Sequence, residues 1–180
     1  MKLAKGFLIA IAGLFAMITL VSLIMPSTVI TSKSIVTNAA QSKIEAALFD
    51  LKQWKNWHPV FIRDSSKLLL SYPAFGENAS AVWNVAGKET QLVITNVKPG
   101  AIWLTLSQPG ENPVTNTISI LPMQGSNELQ VEWSAVTRLK WYPWEKFSGI
   151  FVSQLTGPGY EKALNNLKSY LESTELKREN

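Results

Sequence analysis

The chain has 180 residues, enough for one domain plus an appendage, and its 46% apolar and 17% charged residues are those of a globular protein. A net charge of +4, half of it from Lys2 and Lys5 ahead of the first apolar run, is too small and too scattered for a nucleic-acid platform. The absence of cysteine excludes disulfides and thiolate chemistry, and a single histidine, His58, argues against a histidine-rich metal centre, so neither metal nor cofactor is expected.

From Phe7 to Met25 the sequence carries no charge, and only Gly13, Thr19 and Ser22 interrupt the apolar side chains. A helix needs about 20 predominantly apolar residues to cross a bilayer, whereas a signal-peptide core is shorter, about 7–15 residues. No small-x-small cleavage pattern follows. The run therefore reads as a retained membrane anchor, with a cleaved signal and a buried core helix as the alternatives. Lys2 and Lys5 precede it, which by the positive-inside rule places the N-terminus in the cytoplasm and the rest in the periplasm or outside the cell. The expected organisation is an anchor over 1–26, one domain over 27–175 and a charged tail over 176–180.

Pro26 ends the anchor, and "STVITSKSIVTN" mixes β-branched and small polar residues as a strand does. Asn38 is a plausible helix cap, and beyond it Ile44, Leu48 and Leu51 recur at helical spacing. Trp54, Trp57 and His58-Pro59 follow, with Pro59 disfavouring helix at His58. Between Lys67 and Leu139 apolar runs alternate with Gly87, Pro99-Gly100, Pro109-Gly110 and Gly125, the punctuation of an antiparallel meander of five or six strands. In the last run Val131, Trp133, Ala135 and Thr137 share one face, and Glu132, Ser134, Val136 and Arg138 the other.

Helix returns with "WEKFSGIFVSQLT", is expected to break at Gly157-Pro158-Gly159, and resumes with Tyr160, Leu164, Leu167 and Leu171 on one stripe. A sheet of this kind must bury one face, and only the C-terminal helix is long enough to cover it. An α+β fold in which a curved antiparallel sheet grips that helix is the simplest closed solution. Any space left between them would be an apolar cavity.

Three strings in this order resemble the polyketide cyclase/dehydrase-like group of the START and Bet v 1 superfamily, the SRPBCC domains. They are "AALFDLKQWKNWHPV", "VEWSA" and "GPGYEKALNNLKSYLE". The resemblance covers nearly everything from Ser27 to Glu172. It implies the helix-grip fold and binding of an apolar or amphipathic small molecule, lipid-like in character. Lys88, Glu89 and Thr90 depart from it, standing where close relatives carry small residues in a glycine-rich hairpin.

Ligand-lining residues are expected to be Trp54, Trp57, His58, Trp83, Trp103, Trp133 and Leu164; the strand tryptophans would form an aromatic floor if they face inward. Plain core packing competes with that reading for each of them. His58 is also the one candidate general acid or base, with Asp50 or Asp64 to orient it. The aromatic-basic stretch from Lys140 to Phe147 suits either lipid headgroups or a packed hinge. The sequence thus supports a membrane-anchored binder of a hydrophobic molecule, more readily than an enzyme. The alternatives are a cyclase or hydrolase using His58 and a closed-core periplasmic interaction module.

Overall fold

The N-terminal apolar run forms one helix, α1 (Lys2–Ile24), whose side chains from Leu3 onward are almost entirely uncovered by the rest of the protein. It is long and apolar enough to cross a membrane by length and composition. The computed structural model describes residues 2–64 and 67–176; the end of the charged tail, 177–180, lies outside them.

After α1 the chain enters β1 (Thr28–Thr37) and a short helix, α2 (Gln41–Phe49). A single 3-10 turn (Gln53–Asn56) and the five-residue α3 (Pro59–Arg63) follow. Pro59 takes the first helical position of α3, where its missing N–H costs nothing, and His58 before it is extended. The cap expected at Asn38 is not used. Ala40 occupies the N-cap position of α2 without a side-chain hydrogen bond, because the polar link before it is made by Thr37 Oγ1, which accepts from Ala39 N at 3.3 Å.

The remaining strands are β2 (Leu69–Leu70), β3 (Ser80–Val85), β4 (Lys88–Lys98), β5 (Ala101–Ser107), β6 (Val114–Pro122) and β7 (Leu129–Arg138). They form one antiparallel sheet in the order β1-β7-β6-β5-β4-β3-β2, a meander whose last strand returns to pair with the first. The register places Trp133 opposite Ile118, Ile118 opposite Ile102 and Trp83 opposite Thr90, so these residues share the covered face. Between β3 and β4, Ala86 and Gly87 both take positive φ, the requirement of a two-residue hairpin turn whose twist matches the strands.

Over the covered face lies α4 (Pro143–Leu176), a single 34-residue helix. The break expected at Gly157-Pro158-Gly159 does not occur. A proline inside a helix removes one backbone bond, and here the helix runs on through that loss. The neighbouring glycine has a steric role: a Cβ at Gly157 would come within 3.3 Å of Lys33 Cε and 3.9 Å of Thr31 Cγ2, so its absence lets α4 approach β1 closely. Beyond that point Ala163, Leu164, Leu167 and Leu171 are fully buried.

Candidate functional site

The 3-10 turn is pinned to α2 by two indoles. Trp54 Nε1 donates to Leu48 O at 3.0 Å and Trp57 Nε1 to Ala47 O at 3.2 Å. Each satisfies a carbonyl near the end of α2 that has no partner within the helix, and each polar N–H is thereby accounted for in the core. Trp133 is fixed likewise, its Nε1 donating to Asn116 Oδ1 at 3.0 Å. The ring centroids of Trp54 and Trp57 lie 4.9 Å apart, and both rings meet Trp133 edge-on at 6.1 and 6.4 Å. Asn166 Nδ2 of α4 donates to Trp57 O at 3.0 Å and closes this knot from above.

The knot fills the space between sheet and helix. The cavity expected there is therefore not one chamber, since Trp54, Trp57, Phe61 and Leu164 occupy it with almost no exposure. What remains open lies at its edges. An apolar cleft of about 220 Å³ sits between the start of α3 and the middle of α4, lined by His58, Pro59, Val60, Gly159, Tyr160 and Ala163, with Thr156 and Lys162 at α4. A second recess of about 290 Å³ lies on the other side of Val60, against Trp83, Thr90, Leu106 and Val114.

His58 lines the cleft and is ringed by aromatics: it stacks on Trp54 at 5.1 Å and touches Trp57, Phe61 and Trp133 at 5.5, 5.2 and 5.9 Å. Its Nδ1 is buried and has no hydrogen-bond partner. Burial drives its pKa from 6.5 down to about 3, because the charged ring would lose its hydration with no acid to compensate. The acid/base arrangement considered from the sequence is not assembled. Asp50 Oδ1 accepts from Lys52 N at 2.8 Å, and Asp64 is held by Arg63, whose Nη2 donates to it at 2.9 Å. At neutral pH His58 is an uncharged ring packed among aromatic side chains.

Tyr160 joins the cleft to the knot, 5.1 Å from Trp133, with its hydroxyl pKa raised by burial. At Gly159 a Cβ would meet nothing within 4 Å, so the cleft is open where a side chain would otherwise stand. Lys162 is exposed and makes no ion pair among the described residues.

Of the residues predicted to line a ligand site, His58 borders the cleft and Trp83 the second recess, where the Trp83 Nε1 is also buried without a partner. Trp54, Trp57, Trp133 and Leu164 lie behind them as core. Trp103 does not join an aromatic floor. Ile102 and Leu104 point into the core, so strand alternation turns Trp103 to the outer face, where Lys98 Nζ sits 5.8 Å from its ring. Sequence reasoning missed Val60, Thr156, Gly159 and Tyr160. Of these only the α4 residues stand near a signal, the Gly-Pro-Gly string, and that string carries the marks of a helix end. Among the described residues no cluster of carboxylates and histidine is arranged to hold a metal ion.

No family profile matches the chain, and no curated protein matches it in sequence. The fold, in contrast, recurs among solved structures. A START superfamily protein from Mycobacterium smegmatis superposes with a TM-score of 0.58 at 15% identity, over 81% of this chain and 98% of that one. XoxI from Bacillus cereus does so with a TM-score of 0.58 at 15% identity, over 81% and 97%. DynU16, a protein of the dynemicin biosynthetic locus, gives 0.56 at 16% identity over 81% of this chain, which spans 48% of DynU16. The architecture is a START-like α+β fold, a curved antiparallel sheet around a long C-terminal helix, here preceded by an apolar helix.

Proposed function

We propose that this protein is a membrane-anchored binder of an amphipathic, lipid-like molecule, held in the cleft between α3 and α4. The observation that carries the reading is the unpartnered His58 Nδ1 beside an apolar cleft that Gly159 keeps open. A buried polar atom without a partner costs about 1–3 kcal/mol, and a ligand hydroxyl or carbonyl would relieve that cost where a turn of the His58 ring brings Nδ1 to the cleft. The apolar lining would take a hydrocarbon portion, and Lys162 at the lip would favour an anionic or polar head. The START-like fold supports small-molecule binding as a class, and α1 supplies the anchor.

The test fills the cleft without harming the fold. In Gly159→Leu the new side chain enters open space, and replacing glycine removes a helix penalty of about 0.8–1.0 kcal/mol. Full-length protein is purified from membranes in mild detergent and its bound lipid released and identified by native mass spectrometry. A defined lipid on the original chain that is lost in Gly159→Leu supports the cleft. Equal retention by both excludes it.

A further inference from the structure

On its buried side, the first half of α4 is tied to the end of α1. Lys146, almost fully covered, donates from Nζ to Met25 O at 3.3 Å and to Ser27 Oγ. Ser22 is fully buried and Ile18 and Thr19 are partly covered, while the other side chains from Leu3 to Ile24 are bare; α4 is the principal helix that α1 touches. The first turn of α4 therefore stands where α1 ends.

On its other side this part of α4 is apolar and open. Trp144, Phe147, Phe151 and Leu155 recur at intervals of three and four residues and form one stripe, 39–78% exposed. Lys146, Gly149 and Gly157 occupy the opposite, covered side. This reverses the usual amphipathic order, in which the apolar stripe faces the protein core. Trp141, beside the start of the helix, is exposed as well. The stripe also leads to the cleft, since Leu155, Gly159 and Lys162 succeed one another at i, i+4 and i+7, and the last two line it.

We infer that Trp144 to Leu155 lies in the interfacial layer of a phospholipid bilayer, and that the cleft is loaded directly from that bilayer. The inference rests on the anchored-binder reading and gives the ligand a source. A span that crosses the hydrocarbon layer brings its last turns to the interface, where tryptophan is enriched. The stripe begins beside the end of α1, at the turn that carries Lys146, and runs on along β1, so the medium that covers α1 also meets its first residues. A ligand passing along the stripe would reach Gly159 without crossing water.

The chain has no cysteine, so single labels can be introduced. Phe151→Cys, Leu155→Cys, Phe15→Cys in the middle of α1, and Ser126→Cys in the exposed β6–β7 turn are each labelled with a fluorophore. The full chain is then reconstituted into phosphatidylethanolamine/phosphatidylglycerol vesicles, some carrying nitroxide-labelled acyl chains. The expected result is that labels at 15, 151 and 155 lose most of their emission to the lipid nitroxides and resist aqueous iodide, with the reverse at 126. Quenching at 15 but iodide access at 151 and 155 would overturn the docking and leave the anchor standing. Iodide access at 15 as well would overturn the anchor too. Shielding of 151 from both quenchers, with disulfide cross-linking of Phe151→Cys between chains, would assign the stripe to a second copy and likewise overturn the inference.

Discussion

The two halves of α4 belong to one helix and bury opposite things. After Gly157, Ala163, Leu164, Leu167 and Leu171 press against the sheet and the aromatic knot, while Glu161, Lys162 and Asn165 face out. Before it, the covered positions are Pro143, Lys146 and Gly149, and the large apolar side chains point away. A Cβ at Gly149 would approach Leu139 Cδ1 to 2.2 Å, so the contact there is close but thin. The second half is held by its own domain. The first half leaves its large apolar side chains uncovered, and sequence periodicity cannot tell the two cases apart because both carry a stripe at helical spacing.

The largest effect separating the halves is expected from truncating one large apolar residue in each, buried in the second half and exposed in the first. Leu167→Ala should cost about 2–5 kcal/mol of unfolding free energy, the range for a large buried aliphatic residue. Phe151→Ser, by contrast, should shift it by no more than about 0.5 kcal/mol in detergent. Paired denaturant titrations check both, and equal losses would mean that the stripe packs within the protein.

At the junction, His58 should make stability pH-dependent. The ring is neutral in folded and unfolded chains above pH 6.5 and so contributes nothing there. Below 6.5 the unfolded chain takes up the proton while the folded ring, with a pKa of about 3, does not. Its contribution should therefore fall by about 1.4 kcal/mol per pH unit between those limits. Thermal melts of the original chain and His58→Gln across that window should differ in slope, most steeply between pH 6 and 4. Parallel curves would show that the ring is hydrated.

The smallest effect is expected at the seam itself. Gly157→Ala adds a methyl 3.3 Å from Lys33 Cε, a flexible side chain that can shift, and it removes a glycine from a helix interior. The two contributions oppose each other, so a net change within about 1 kcal/mol is expected. A larger loss would show that Lys33, paired with Glu161 at 3.1 Å, is fixed rather than yielding.

Much of this architecture can be read from residue order. The uncharged run of α1, the turn glycines and the alternation in β7 each encode one local geometry, and the structure has them where the pattern puts them. Two features were harder to read because local signals pointed the wrong way. Gly157-Pro158-Gly159 carries every mark of a helix end, yet packing against β1 and the knot holds the helix together across it. Trp103 has the bulk of a core residue, but it is flanked by Ile102 and Leu104, and those two claim the inner face. The cleft was invisible for a different reason. It depends on Gly159 facing Pro59 and Val60, a pairing 100 residues apart that no spacing rule supplies.

The continuity of α4 has a mechanical consequence. At about 1.5 Å per residue, 34 residues make a rod about 50 Å long. One end of that rod is fastened through Lys146 to the segment that follows α1, and the other is wedged into the sheet through Leu164, Leu167 and Leu171. Pro158 leaves a single rung missing from its backbone ladder, and the rod is most easily flexed there. That point adjoins the lip of the cleft, so the most easily flexed step of the rod stands beside Gly159.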